Sequence, residues 1–257
     1  ISLCQDIQGQ TFDYPEEFFK EKVHVIRRPR PDQFQTKEAA NKIKSSKKPI
    51  IISGGGVFYS EAMEELSKFA IKHNIPVTQT VMGYSTMKKD HSHYAGQIGG
   101  LGGKNTNSLA KQTDLAIAVG TKLADFTTGS WANFENENFK LVSVNVSRFD
   151  ANKHLAQAVV GDAKVSLEEL SLALGDWKAE DDWNKKSQSE LKVWNDHVDK
   201  ESAPSNQEIP SYLQVIGSVY RNSDPSDIAV TAAGGLVGEV VQVWRPRELN
   251  THETEWG

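Results

Sequence analysis

Several places in the sequence combine residue types at spacings that can do chemistry. Gly54-Gly55-Gly56 follows the apolar run Ile50-Ile51-Ile52. Glycines at such a turn let the backbone approach a phosphate, and a following helix presents its N-terminus to the anion. The next residues are Val57-Phe58-Tyr59-Ser60, without the third glycine of a G-x-G-x-x-G fingerprint, so a purely structural turn stands beside the anion-binding one. Ala233, Gly234 and Gly235 form a second small-residue turn after an apolar run, suited to an anion through its amides or serving as a plain strand-to-helix turn. His91 and His93 flank Ser92 with no cysteine near them, a poor fit to zinc. There is no G-x-S-x-G elbow and no complete phosphate-loop motif, which argues against an α/β-hydrolase and a P-loop enzyme. Asp162, in Gly161-Asp162-Ala163, is expected to cap the helix that carries Leu167 and Leu170.

The elements that must position these residues follow from periodicity. Ile50 to Ile52 lacks polar alternation, as expected of a strand buried on both faces of a parallel sheet. Met63, Leu66, Phe69 and Ala70 then fall at helical spacing within 61–71. Further strands are expected at 75–78, 114–119, 141–146 and 159–160, with 82–103 a long glycine-rich passage and a helix over 165–174. Strands alternating with helices predict an α/β, Rossmann-like doubly wound parallel sheet whose ligands sit at the strands' carboxyl ends. Those ends are 53–56, 79–83, 120–122 and 145–147.

The flanks read differently. Residues 1–10 are expected to form the last strand of a preceding domain, and the basic, proline-rich run from Val23 to Arg30 a solvated connector. Lys42, Lys44, Lys47 and Lys48 belong to a solvated helix face. After Trp177 the chain is polar, yet Trp183, Leu191, Trp194 and Val198 share one helical face, predicting a half-buried connecting helix that Ala203-Pro204-Ser205 ends. A helix over 209–220, a strand over 227–231 and a helix over 236–244 open a third unit.

A net charge of −5 argues against nucleic acid as a partner. No stretch is apolar enough to span a membrane, and none is expected as a partner. One cysteine, Cys4, builds no disulfide framework, so a reducing, cytoplasmic setting is expected. The chain starts at Ile1 and is expected to be cut from a longer one.

From Lys48 to Gly56, through Ile75-Pro76-Val77, Gly96 to Gly103 and Asp114 to Asp125, to Gly161-Asp162, the order of pieces resembles the middle domain of thiamine diphosphate enzymes of the acetolactate synthase type. Four flanking pieces, 4–9, 27–31, 144–150 and 232–239, resemble the branch that hydrolyses a trihydroxycyclohexanedione in inositol catabolism. Its members are also labelled malonic semialdehyde oxidative decarboxylases. The resemblance implies the end of a pyrimidine-binding domain and linker over 1–35, a middle domain over 36–176, a connecting helix and linker over 177–204, and the start of a diphosphate-binding domain over 205–257. It implies thiamine diphosphate and Mg as cofactors of the complete enzyme, a cyclic dione as substrate, and a homodimer or homotetramer. Ala233, Gly234 and Gly235 match the cofactor-contacting turn, and His252 and Glu255 a region lining the active site.

The family's activating glutamate is expected before Ile1 and its metal-binding Asp and Asn after Gly257, so no catalytic or metal-ligating residue is assigned and the chain alone is expected to be inert. Flavin is not expected on the middle domain. Val144-Asn145-Val146-Ser147 replaces the family's Ile-Asp-Ile-Asp, and Lys122 stands where flavin-binding members carry Arg. Gly54, Gly55, Gly120 and Lys122 are the positions where a nucleotide would show itself. The alternatives are a thiamine-dependent decarboxylase, an acetolactate synthase-like enzyme, or a free-standing Rossmann-type nucleotide-binding module.

Overall fold

The computed structural model describes residues 4–25, 27–232 and 234–255. In chain order the elements are α1 (Gln5–Gln8), α2 (Gln33–Lys44), β1 (Pro49–Ser53), α3 (Gly56–Tyr59), α4 (Met63–His73), β2 (Val77–Gln79), β3 (Tyr94–Gln97), α5 (Lys104–Gln112), β4 (Leu115–Val119) and α6 (Asp125–Thr128). They continue with β5 (Lys140–Asn145), α7 (Arg148–Ala151), β6 (Gln157–Val160), α8 (Ala163–Leu174), α9 (Asp181–Glu201), α10 (Tyr212–Asn222), β7 (Ala229–Ala232), α11 (Val237–Val243) and β8 (His252–Glu255).

Six strands make one parallel sheet in the order β3-β2-β1-β4-β5-β6. This is the doubly wound arrangement, in which the order reverses between β1 and β4 and leaves a crevice at their carboxyl ends. The three isoleucines explain why β1 is central. Ile51 packs on one face of the sheet, with Leu66, Phe69 and Leu167, and Ile50 and Ile52 on the other, with Leu109, Leu141 and Trp183; all three are fully buried. Asp162 caps α8 as expected, its Oδ1 accepting from the amides of Lys164 (3.1 Å) and Val165 (3.3 Å).

The structure corrects four expectations. Gln5 to Gln8 is a short helix, so 1–10 is not a strand along its described length. The passage 82–103 contains β3, and α5 follows it. The glycine turn does not run straight into a long helix: α3 is a single turn, Glu61 then takes a left-handed conformation (φ +52°), and α4 begins at Met63. Finally, 23–30 is not wholly solvated, because Arg28 is half-buried against the central unit.

The connecting helix α9 buries Trp183, Leu191 and Val198, with Trp194 half-buried. Trp183 Nε1 donates to the Pro49 carbonyl at 2.8 Å, pinning the helix to the start of β1. Beyond it, β7 and β8 form a two-stranded parallel sheet packed by α10 and α11 around Val198, Ile216, Tyr220, Val243 and Trp244. No helix among the described residues is long and apolar enough to cross a membrane.

Candidate active-site cleft

The carboxyl ends of β1, β2 and β4 meet in a seam of main chain. Gly56 N donates to Gly120 O (2.9 Å) and Gly54 N to Val119 O (2.9 Å), while Val57 N and Phe58 N close back on Gly54 O and Gly55 O. A Cβ on Gly56 would sit 2.7 Å from Gly120 Cα, and one on Gly83 2.7 Å from Gly54 Cα. Three turns therefore touch where no side chain fits, and Gly120 also needs its positive φ of 62°. Four of the amides around the first turn already have partners, so the glycines serve close packing rather than an anion cradle.

In front of this seam lies a cleft of about 940 Å³, bounded on the far side by the third unit. Its walls are mainly apolar, with Phe58, Tyr59, Val81, Met82, Ile228 and Val230, and Lys122 is an exposed cation on its lining. That composition, a few polar groups on apolar walls, is typical of small-molecule sites. Asn145, standing where a ribose-binding acid would be, uses its side chain internally: Nδ2 donates to Thr121 O (3.2 Å) and Oδ1 accepts from Ser147 N (3.0 Å).

The third unit contributes His252. It is 7% exposed, and its Nε2 has no hydrogen-bond partner among the described residues. Burial pushes its pKa down to about 4, so the ring is neutral near pH 7 and available as donor or acceptor. Tyr84 supports it from behind. The Tyr84 hydroxyl donates to Val241 O (2.6 Å), and burial drives its pKa well above the ordinary phenol value. The loop carrying Tyr84 is held from below, where Gln79 donates to Thr86 Oγ1 and Met87 O and accepts from Ser85 N. Ser85 in turn accepts from the amides of Thr251 and Asn250. A buried polar network thus joins the sheet to the strand that carries His252.

The five residues singled out from sequence are not all in one place. Strands β7 and β8 run parallel, with Ala229 opposite His252 and Ala232 opposite Glu255. His252 therefore lies at the amino end of the pair, in the cleft, whereas Gly234 and Gly235 follow its carboxyl end. At roughly 3.3 Å per residue the two ends are on the order of 10 Å apart. A Cβ at Gly234 or Gly235 would meet nothing within 4 Å, so this turn is open to a ligand, unlike the seam. That openness fits a diphosphate drawn close to main-chain amides. Ala233 and the side chain of Glu255 lie outside the described residues. Helix α11 is only one to two turns long and adds no strong dipole to the turn.

His91 and His93 are tied to structure. His91 bonds Ser67 Oγ (2.9 Å) and His93 bonds Asn74 Oδ1 (3.0 Å). Among the described residues, no group of three His, Cys, Asp or Glu side chains could hold a metal ion. Sequence reasoning missed Tyr84, since its partners Val241 and His252 lie more than 100 residues away.

Residues 36–170 match the family described as thiamine pyrophosphate enzyme, central domain. Along its whole length the chain is similar to proteins named 3D-(3,5/4)-trihydroxycyclohexane-1,2-dione hydrolase. Identity is 37% to those of Clostridium tetani and Geobacillus thermodenitrificans, over 44% and 43% of their lengths. It is 35% to that of Bacillus anthracis, again over 44%. The chain thus spans less than half the length of these curated relatives.

Proposed function

Since the chain belongs to the thiamine pyrophosphate enzymes, whose central domain it carries, we propose that it is part of a thiamine diphosphate-dependent hydrolase. The substrate is a trihydroxylated cyclohexane-1,2-dione, and the bond cleaved is a carbon–carbon bond of the ring. One observation carries this reading. The similarity to the named hydrolases covers the full chain, including the segments on both sides of the central domain.

When bound, the cofactor supplies the nucleophilic carbon and the electron sink needed to break a bond beside a ketone. The chain's own residues then have positional roles. The open turn at Gly234 and Gly235 receives the diphosphate on its amides, with magnesium as the counter-ion. The central sheet holds the third unit in register through Tyr84, Ser85 and the Asn250–His252 segment. We place the cofactor-activating glutamate and the metal ligands outside this stretch of chain, in a cytoplasmic homo-oligomer, and expect this stretch alone to be inactive.

The test uses a longer polypeptide containing this sequence, assayed on the dione with thiamine diphosphate and magnesium supplied or omitted. Ring opening that needs both supports the reading. Decarboxylation of a 2-oxo acid without ring opening would replace it with a decarboxylase or synthase of the same family.

A second reading is favoured by the cleft itself. Its volume, apolar walls, Lys122 and the unpartnered His252 Nε2 suit a second small molecule such as a nucleotide, held apart from the Gly234–Gly235 turn. Equilibrium dialysis of the chain against NADH tests this reading.

A further inference from the structure

The strap that leads into the central domain packs against the end of α3, the helical turn that forms part of one wall of the cleft. The guanidinium of Arg28 reaches three residues at once. Its Nη1 donates to the carbonyl of Ser60 and lies 3.3 Å from Asp162 Oδ2, and its Nη2 donates to Glu61 Oε2 at 2.7 Å. Asp162 is 3% exposed and also accepts from Ser60 Oγ (2.7 Å), while its own amide donates to Pro29 O (2.9 Å). The strap lies directly on main chain here. A Cβ on Gly161 would be 2.9 Å from Pro31 N and 3.1 Å from Pro29 O.

Ser60 and Glu61 are the residues that end α3, and α3 supplies Gly56, Phe58 and Tyr59 to the cleft. A single helical turn does not hold itself together, because one turn fixes several dihedral angles for very few hydrogen bonds. Two residues past its end, Glu61 adopts a left-handed conformation that costs energy for a residue with a side chain. Arg28 meets both needs: it satisfies a carbonyl just past the C-terminal end of the turn, and it grips the side chain of the strained residue. Lysine cannot do both, since its ammonium lacks the planar fork.

We propose that Arg28 is a positioning residue for the cleft, fixing the α3 wall and so joining the segment that enters the central domain to the surface a ligand would touch. The link to a ligand rests on the reading that the cleft binds one; the positioning of α3 does not.

Hydrogen exchange followed by mass spectrometry on the whole chain tests the positioning, with Arg28→Lys as the main variant because it keeps a positive charge beside buried Asp162. Amides 57–62 are expected to exchange about tenfold faster in Arg28→Lys, and about threefold faster in Glu61→Gln, with those of β4 and α4 unchanged. Unchanged exchange at 57–62, or an equal rise in β4 and α4, overturns the proposal. Titration with NADH, read by its own fluorescence, tests the link: the dissociation constant is expected to rise about tenfold in Arg28→Lys. Equal affinity in variant and parent, alongside faster α3 exchange, overturns the link to the ligand. A parent chain that binds no NADH overturns the nucleotide reading of the cleft, and the exchange data then decide the role of Arg28 alone.

Discussion

The imidazole of His252 stands edge-on to the ring of Tyr84, centroids 5.1 Å apart and planes at 81°. The pair bridges two units, one ring from the loop after β2 and the other from β8, separated by well over 100 residues. An edge-to-face contact of this kind fixes ring orientation, so Tyr84 decides which way the free nitrogen of His252 points.

Tyr84→Phe keeps the ring contact but removes the donor to Val241 O. A buried carbonyl left without its partner costs about 1–2 kcal/mol. Urea denaturation is expected to show that loss. Tyr84→Ala, which also empties a fully buried site, is expected to cost about 3–5 kcal/mol.

Acid should loosen the molecule before its carboxylates titrate. Burial lowers the pKa values of His73, His91, His93 and His252, the last two to about 4. Because the folded values lie below the unfolded one near 6.5, the folded state binds fewer protons. Stability from these groups is therefore complete above about pH 6.5 and falls as pH drops toward 4. His73 shows why in geometry: Nδ1–H donates to Trp177 O (2.7 Å), so Nε2 must accept from Ser171 Oγ (3.0 Å) and loses that role on protonation. Denaturation midpoints measured from pH 7.5 to 4.5 are expected to decline steadily, and less steeply in His93→Gln.

Glycine substitutions should separate packing from ligand access. Gly56→Ala drives a methyl group into Gly120 and is expected to cost about 2 kcal/mol or more. Gly235→Ala meets open space and is expected to stay within about 0.5 kcal/mol of the parent. The same denaturation series compares both.

Trp183→Phe removes the bond from α9 to Pro49 O inside a buried contact. A loss of about 1–2 kcal/mol is expected, together with faster exchange along the first turns of α9.

Part of this was legible in the chain itself. An unbroken Ile50-Ile51-Ile52 has no solvent face to offer, so a central buried strand was the natural reading, and Asp162 capped α8 where its type and place predict. Strand β3 escaped because Tyr94-Ala95-Gly96-Gln97 carries no β-branched residue, and its burial comes from α9 nearly 100 residues later. Helix α5 escaped because Asn105, Thr106, Asn107 and Ser108 are weak helix formers, rescued by tertiary bonds such as Asn107 to Gly99 (2.9 Å). One side of the cleft was legible as the strands' carboxyl ends at 53–56, 79–83 and 120–122; the other side was not, since Gly56 and His252 are brought together only by the docking of two units. Arg28 looked like a solvated cation because each of its acceptors lies at least 32 residues downstream.

The seam among Gly54, Gly56, Gly83 and Gly120 restricts the ways this protein can vary. The obstruction a methyl group would meet at Gly56 or Gly83 is main chain, not a side chain that a second mutation could trim. A lost glycine there has no suppressor elsewhere in the seam, and only a return to glycine, or a redrawn path of whole loops, restores the contact.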